Sequence, residues 1–112
     1  DVILGVVTGK SRRGLTAILE HHGMTQSFFA TRTADDCPSK PHPAMVLECC
    51  TEAGIAPDAT VVIGDAIYDM QMAVSAGARG IGVSWGYAPV EALIAAGADR
   101  IVHRADEIAG LI

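Results

Sequence analysis

The sequence has few aromatic residues, no excess of basic residues and no long apolar run. Aromatic side chains make up 4% of the 112 residues, whereas 50% of the residues are hydrophobic. The net charge of −5 argues against nucleic acid as the main partner, because binding to a phosphate backbone needs a basic face. No apolar run approaches the roughly 18 residues that a membrane-spanning helix needs, so no membrane partner is expected. This composition is typical of a parallel sheet covered by helices of small residues.

The cysteines do not form a disulfide framework or a zinc site. An odd count of three, with one adjacent pair and no Cys-x-x-Cys, predicts reduced thiols at Cys37, Cys49 and Cys50. One of the adjacent pair is expected in the core between a helix and the sheet. Reduced thiols predict a cytoplasmic location.

Predicted strands and helices alternate along the whole chain, without a linker, a repeat or a low-complexity segment. We therefore predict one α/β domain over residues 1–112, a three-layer, Rossmann-like sandwich with a mostly parallel sheet and right-handed connections. Strands are predicted at Val2–Thr8, Phe28–Thr33, Val61–Gly64, Arg79–Val83 and Arg100–Val102. Helices are predicted at Ser11–His22, Pro41–Gly54, Tyr68–Ala76, Val90–Ala96 and Ala105–Leu111.

Two carboxylates follow the third predicted strand. Its β-branched apolar run ends at Gly64, which lets the backbone turn sharply, and Asp65 and Asp69 come next. Side chains at the carboxyl end of a parallel strand point into the crevice where open α/β sheets bind ligands. Two carboxylates held close repel each other unless a cation lies between them, and Mg²⁺ prefers such hard oxygens. The alternative is an ordinary helix-capping Asp followed by a solvated one.

Two further segments place phosphate-binding groups at strand ends or helix starts. The turn from Thr8 to Ser11 offers a hydroxyl and unpaired backbone N–H groups, although it also fits an ordinary strand–helix turn with Ser11 as the helix cap. Lys40 stands just before a predicted helix, where the helix dipole disfavours a cation, so a functional role is favoured over a solvated surface lysine. Together with the two carboxylates, these groups could hold one phosphoryl group and one Mg²⁺.

In chain order, these segments resemble the second, third and fourth motifs of the haloacid dehalogenase superfamily. The matching stretches are Val6–Ser11, Ser39–Pro43 and Val62–Asp69, and the similarity to the phosphoglycolate phosphatase-like branch extends to Gly82–Tyr87 and Gly97–Asp99. The resemblance covers nearly the whole chain. It implies a haloacid dehalogenase-type core and Mg²⁺-dependent hydrolysis of a small, phosphoglycolate-like phosphate monoester through an aspartyl-phosphate.

The resemblance also implies a role for each matching residue. Thr8 would hydrogen-bond the phosphoryl group of a small phosphorylated metabolite, helped by the Gly9 amide. Lys40 would neutralise charge on the phosphoryl group and on the nucleophile. Asp65 would ligate Mg²⁺, and Asp69 would ligate it directly or hold its waters. Many relatives have Asn at the position of Gly9, and Thr or Ser where this chain has Ala66, so two polar groups are lacking here.

The family's first motif, Asp-x-Asp-x-Thr/Val, is absent from this sequence, and so is the helical cap that usually follows it. That motif supplies the nucleophile and the general acid–base group. Asp35 and Asp36 are adjacent and follow no apolar strand, and Asp1 precedes a strand. In the family, the missing strand lies between the strands that end here at Thr8 and Gly64. We therefore expect the carboxy-terminal part of a longer phosphatase, inactive alone, with open sheet edges through which homo-oligomers could form.

Two alternative functions from other classes remain, a nucleotide-binding protein and a scaffold. Gly5–Ser11 resembles a P-loop, but a P-loop has four residues between its first glycine and Gly-Lys-Ser; here there are three, and Leu4 holds the required position. Tight binding of ATP would revive that reading. The chain could also be a scaffold that pairs with another chain through its open edges, which light scattering would test.

Several residues near the motifs have a structural and a functional reading. His42 is expected at the helix entry, where it could touch substrate. Arg12 and Arg13 are expected to solvate the first helix, with substrate contact as the alternative because they follow the phosphate-binding turn. Trp85 and Tyr87 could line the mouth of the crevice, but packing of the Trp against a helix is favoured.

Overall fold

A computed structural model describes residues 2–112, in which short strands and helices alternate. The strands are β1 (Gly5–Val7), β2 (Ala30–Arg32), β3 (Val61–Gly64), β4 (Arg79–Val83) and β5 (Arg100–Val102). The α-helices are α1 (Arg12–His21), α2 (Ala44–Ala53), α3 (Ile67–Ala76) and α4 (Val90–Ala96). Two 3-10 segments, Pro57–Ala59 and Ala105–Leu111, complete the order.

The strands form two parallel sheets. β1 pairs with β2, and their carboxyl ends are level because Val7 lies opposite Arg32. β3, β4 and β5 pair in that order. Within residues 2–112, no strand pairing joins β1 to β3. The parallel α/β class is therefore confirmed, with two sheets in place of one continuous sheet. The position of Asp1 lies outside the described residues.

One face of both sheets is covered by the same layer of helices. Val7 of β1 and Val62 of β3 pack into one cluster with Met45 of α2 and Met72 of α3, so a single core spans the two sheets. On the same face of β4, two glycines make room for α3 and α4. A Cβ at Gly80 would lie 3.0 Å from the Met70 sulfur, and a Cβ at Gly82 would lie 3.0 Å from Leu93.

The opposite face is covered less completely. Ile81 and Val83 of β4 pack there with Val102 of β5, and the 3-10 segment supplies Ile108 and Leu111. α1 and α2 lie on opposite faces of β2. Arg12 of α1 donates to the Thr31 hydroxyl, whereas the next residue, Arg32, forms ion pairs with Glu48 and Glu52 of α2. Ile63 of β3 remains 43% exposed. The result is the predicted three-layer arrangement, with a thin second layer.

Three predicted starts lie two or three residues too early. β1 begins at Gly5, β2 at Ala30 and α2 at Ala44. Before the two strands, one further hydrogen bond joins the Phe29 N–H to the Leu4 carbonyl oxygen at 2.8 Å. Pro41 lies in the turn before α2. The last predicted helix, residues 105–111, is a 3-10 segment.

The cysteines agree with the prediction that they form no disulfide. All three are free thiols; Cys37 and Cys50 are buried, and Cys49 is half-buried below β1. No helix in the described part of the chain combines the length and apolar character that a membrane crossing requires.

Candidate functional site

The structure brings Lys40 and Asp69 into direct contact. Lys40 lies in the segment between β2 and α2, and Asp69 lies in the first turn of α3, directly after β3. The Lys40 ammonium Nζ is 2.6 Å from Asp69 Oδ1, and the Asp69 residue is only 6% exposed. This ion pair joins the segments that follow the carboxyl ends of β2 and β3, and so it fixes the edge at which the two sheets come together.

Thr8 lies at the same edge, because it follows β1 directly and β1 ends level with β2. Its backbone N–H donates to the carbonyl oxygen of Arg32 at 3.1 Å, which extends the strand pairing by one step. Its hydroxyl oxygen accepts the N–H of Lys10 at 3.1 Å and keeps its own proton for an acceptor. Gly9 is exposed, and a Cβ there would meet no atom within 4 Å. Within residues 2–112, no hydrogen bond links Thr8 or Gly9 to Lys40, Asp65 or Asp69.

Asp65 is held by the loop that follows β4. We name residues Ser84–Ala88 the Trp85 loop. The N–H of Tyr87 donates to Asp65 Oδ2 at 3.2 Å, and the N–H of Ala88 donates to the Asp65 carbonyl oxygen at 3.2 Å. Gly86 lies flat against the carboxylate: a Cβ added there would be 2.5 Å from Asp65 Oδ2 and 2.7 Å from its Cγ. A side chain at position 86 is therefore incompatible with this arrangement.

Asp69 is held in a similar way by Gly64. A Cβ at Gly64 would be 2.5 Å from Asp69 Cγ, so the carboxylate lies directly over the end of β3. Asp69 Oδ2 accepts the N–H of Ala66 at 3.2 Å, as a capping residue does at a helix start, while Oδ1 accepts from Lys40. Both Asp69 oxygens are thus engaged, whereas Asp65 Oδ1 has no hydrogen bond from residues 2–112.

These oxygens fit a hard divalent cation only in part. Carboxylate oxygens are the ligands that Mg²⁺ prefers, and Mg²⁺ is commonly bound through one or two carboxylates while it keeps several waters. Asp65 Oδ1 is suited to this role. Asp69 meets the ammonium of Lys40 instead, and within residues 2–112 no three His, Cys, Asp or Glu side chains are grouped as ligands of one metal ion. Of the four oxygens of Asp65 and Asp69, Asp65 Oδ1 is the one that accepts no hydrogen bond from residues 2–112.

The neighbouring residues have structural roles. His42 Nδ1 accepts the N–H of Ala44 at 3.1 Å, so this side chain caps the start of α2. Arg12 was predicted to be a solvated side chain of the first helix. It instead donates to Thr31 Oγ1 at 2.6 Å and to Asp36 Oδ2 at 2.5 Å. Trp85 does not pack fully against a helix either, since it is 53% exposed.

The hydrogen bonds from the Trp85 loop to Asp65 were not predicted from the sequence. The sequence feature that indicated them was Gly86, which stands between Trp85 and Tyr87 shortly after β4, the strand that pairs with β3. Asp65 directly follows β3. A glycine in such a place marks a close approach of the backbone to another group. The hydrogen bond comes from the main chain of Tyr87, a residue that is 94% exposed, so the aromatic residue type gave no indication of it.

Known proteins resemble this chain in sequence and in fold. The sequence profile of the haloacid dehalogenase-like hydrolases matches residues 1–83. The phosphoglycolate phosphatase of Chromobacterium violaceum is 33% identical over 110 residues, which span 97% of this chain and 48% of that protein.

Two solved structures have the same fold. A predicted phosphoglycolate phosphatase from Haemophilus somnus is 29% identical, with a TM-score of 0.87 over 97% of this chain and 49% of its own. A haloacid dehalogenase family hydrolase from Deinococcus radiodurans, determined with bound phosphate and sodium, is 25% identical, with a TM-score of 0.85 over 96% of this chain and 50% of its own. The chain thus spans about half the length of the relatives it matches. With most of its length matched by the family profile, this chain belongs to the haloacid dehalogenase-like hydrolases.

Proposed function

We propose that the complete protein is a Mg²⁺-dependent phosphatase that hydrolyses a small phosphate monoester, of the phosphoglycolate type. The contact between Lys40 and Asp69 carries this proposal, because it joins the residues of two family motifs at the edge where Thr8 and Asp65 also lie. The named relative from Chromobacterium violaceum is a phosphoglycolate phosphatase, and the Deinococcus radiodurans relative binds phosphate.

Thr8, Gly9 and Lys40 are proposed to bind the phosphoryl group. The Thr8 hydroxyl has a proton to donate, and the backbone around Gly9 is open to a ligand. The Lys40 side chain is partly exposed, and Asp69 balances its charge. Its Nζ has three N–H donors, and within residues 2–112 the one side-chain acceptor that it meets is Asp69 Oδ1. Such donors stabilise the charge that develops on the phosphoryl oxygens during transfer.

Asp65 is proposed to bind Mg²⁺ through Oδ1, which has no hydrogen bond from residues 2–112. When bound, Mg²⁺ neutralises phosphoryl charge and orients the ester. The role we assign to Asp69 differs from direct ligation. Its two oxygens hold Lys40 and the Ala66 N–H, so Asp69 positions the ammonium and the start of α3.

The nucleophile is proposed to come from the part of the protein outside these residues. The family's first motif, which carries the aspartate that forms the aspartyl-phosphate, does not occur in this sequence. The 112 residues alone are therefore expected to have negligible turnover, since loss of a covalent nucleophile commonly lowers the rate on the order of 10⁴-fold or more.

A panel of phosphate monoesters tests the proposal on the complete protein, with and without Mg²⁺. We expect Mg²⁺-dependent release of phosphate, its abolition in Asp65→Asn, and its retention in Asp58→Asn. Asp58 is a matched control because it is an exposed aspartate in the 3-10 segment before β3. Full activity in Asp65→Asn, or hydrolysis that ignores Mg²⁺, would contradict the assignment.

Within residues 2–112, β1 and β3 each have one edge without a strand partner, which favours a second candidate, a non-catalytic role in assembly. Unpaired strand edges readily pair with another chain. Light scattering of the 112-residue chain separates the two ideas: a defined dimer supports assembly, whereas a monomer or an ill-defined aggregate does not.

A further inference from the structure

We propose that Arg12 is a positioning residue for phosphoryl binding, which fixes the turn that carries Thr8 to the segment that leads to Lys40. The inference rests on the proposed function, because it requires Thr8 and Lys40 to bind one phosphoryl group. Arg12 directly follows the motif stretch Val6–Ser11 and belongs to none of the motif stretches. We name residues Thr8–Ser11 the phosphate-binding turn.

The phosphate-binding turn lies between two main-chain hydrogen bonds to the end of β2 and the residues after it. Where the turn begins, the Thr8 N–H donates to the Arg32 carbonyl oxygen at 3.1 Å. Farther along, the Lys10 carbonyl oxygen accepts the Ala34 N–H at 3.0 Å. Gly9 lies between these bonds, and a Cβ there would meet no atom within 4 Å. The middle of the turn is therefore open to a ligand, and its position depends on the residues that anchor its two ends.

Arg12 anchors the far end of the turn through four hydrogen bonds. Its main-chain N–H donates to Asp35 Oδ2 at 2.8 Å. Its guanidinium donates to the Thr31 hydroxyl at 2.6 Å, to the Thr31 carbonyl oxygen at 3.1 Å, and to Asp36 Oδ2 at 2.5 Å. Because Arg12 is the first residue of α1, these bonds tie the start of the helix, and the turn just before it, to β2 and to the segment after β2.

Asp36 is a fixed partner for Arg12, because Thr33 holds the same carboxylate oxygen. Asp36 Oδ2 accepts the Thr33 N–H and the Thr33 hydroxyl, each at 2.8 Å. Thr33 is fully buried directly after β2, so its two bonds fix the carboxylate relative to the sheet. These bonds, and then the Arg12 guanidinium, lower the pKa of the Asp36 carboxyl, so the ion pair is present at neutral pH.

The Arg12–Asp36 ion pair joins the two sides of the proposed phosphoryl site. Thr8 lies four residues before Arg12, and Lys40 lies four residues after Asp36. On its own side, Lys40 is held by Asp69, whose Oδ1 lies 2.6 Å from Nζ. The pair therefore fixes the hydroxyl relative to the ammonium, and a phosphoryl group bound by both groups depends on that placement.

Arg13 provides a matched control for the charge of Arg12. It is the next residue of the same helical turn, but it is exposed and forms no ion pair within residues 2–112. Arg12→Met keeps an unbranched side chain and removes the three guanidinium bonds, whereas Arg13→Met removes an equal charge beside the same turn and no anchor. The comparison separates positioning through contacts from attraction of an anionic substrate by charge.

The test measures hydrolysis of a phosphate monoester by the complete protein and its inhibition by inorganic phosphate. Arg12→Met should lower kcat/KM by about 10- to 100-fold, because a misplacement of about 1 Å costs rate on this scale. It should raise the inhibition constant of phosphate by about tenfold, the effect of losing one hydrogen bond to a charged group. Arg13→Met should match the wild type. Arg12→Lys should recover only part of the loss, since one ammonium cannot replace the separate guanidinium contacts to Thr31 and Asp36.

A double variant shows whether Arg12 acts through Thr8. Thr8→Val removes the hydroxyl, so adding Arg12→Met to it should raise the inhibition constant of phosphate by only about twofold or less. A merely structural role would give additive losses. The proposal is overturned by additive losses, by an equal loss in Arg13→Met, or by unchanged phosphate inhibition in a folded Arg12→Met protein. If the wild type hydrolyses no phosphate monoester, the proposed function fails, and this inference fails with it.

Asp35 variants cover the case in which Arg12→Met does not fold. Asp35 is exposed, and Asp35→Ala removes the acceptor of the Arg12 main-chain N–H without changing the core. We expect the inhibition constant of phosphate to rise by about threefold in Asp35→Ala, the effect of one exposed hydrogen bond. Asp35→Asn should restore it, because an amide oxygen accepts the same bond. Wild-type phosphate inhibition in Asp35→Ala would overturn the proposal.

Discussion

Lys40 Nζ lies 2.6 Å from Asp69 Oδ1, across the place where the two sheets meet. Lys40 precedes α2, and Asp69 lies in the first turn of α3, so the pair reinforces the core that these helices form over both sheets. Since no strand pairing joins β1 to β3 within the described residues, this contact contributes to stability as well as to the candidate site.

Breaking the Lys40–Asp69 pair should destabilise the fold. Lys40→Met leaves a nearly buried carboxylate without its cation, and Asp69→Asn leaves the ammonium facing a neutral amide. We expect each change to lower the free energy of unfolding by about 1–3 kcal/mol, because a buried charged group loses its partner. Chemical denaturation of the two variants measures both effects.

The double variant shows whether the two losses share one cause. If the ion pair is responsible, Lys40→Met combined with Asp69→Asn should cost less than the sum of the single changes, with a coupling of about 1 kcal/mol or more. Strict additivity of the two effects would show that the contact does not stabilise the protein.

Asp36 should give the fold a dependence on acid pH. The Thr33 hydroxyl and backbone N–H, and then the Arg12 guanidinium, lower the pKa of the Asp36 carboxyl below its usual value. The native state therefore favours the ionised form, and its stabilising effect is present above the unfolded pKa, about 3.9, and is lost as pH falls further. The melting temperature of the wild type should exceed that of Asp36→Asn at pH 6, and this advantage should shrink toward pH 2.5. An advantage that grows with acid would contradict the prediction.

Cys49 should react slowly with alkylating reagents. Burial raises the pKa of this thiol to about 11, from an ordinary value of 9.0. Because the thiolate is the reactive form, its population at pH 8 is lower by about 100-fold, and alkylation by iodoacetamide should slow by a similar factor relative to the unfolded chain. Mass spectrometry that resolves each cysteine measures this rate.

The expected pH dependence of that reaction follows from the same shift. A raised pKa favours the neutral thiol in the native state, so the Cys49 rate should keep rising up to about pH 11 rather than levelling off near 9.0. A Cys49 that is alkylated in the native protein as fast as in the unfolded chain would show that the thiol is not desolvated.

The sequence predicted most accurately the bounds of β3, β4, α4 and β5. Glycine and proline mark some of these bounds, since β3 ends at Gly64 and α4 lies between Pro89 and Gly97. They are not sufficient, because α2 follows two prolines and still begins later than predicted. Val2–Leu4 are apolar like a strand, yet they are exposed and precede the first residue of β1. An apolar pattern alone does not reveal whether a neighbouring strand covers a segment.

The candidate site was predicted as a set of residues, but its contacts were not. Parallel topology brings strand ends to one edge, which is why Lys40 and the two acids could be grouped from the sequence. Which oxygen meets which donor depends on side-chain packing and on loop paths of a few ångströms. Local packing therefore decides that Asp69 contacts Lys40 and that Asp65 contacts the Trp85 loop. The roles of Asp65 and Asp69 as metal ligands stay predictions.

Phosphorus relaxation of inorganic phosphate in the presence of Mn²⁺ tests the central claim most directly, because it reports whether cation and phosphate share one site. In the complete protein, we predict a protein-dependent enhancement that disappears in Asp65→Asn and persists in Asp58→Asn. An enhancement that survives in Asp65→Asn would contradict a joint cation and phosphoryl site at this edge of the sheet.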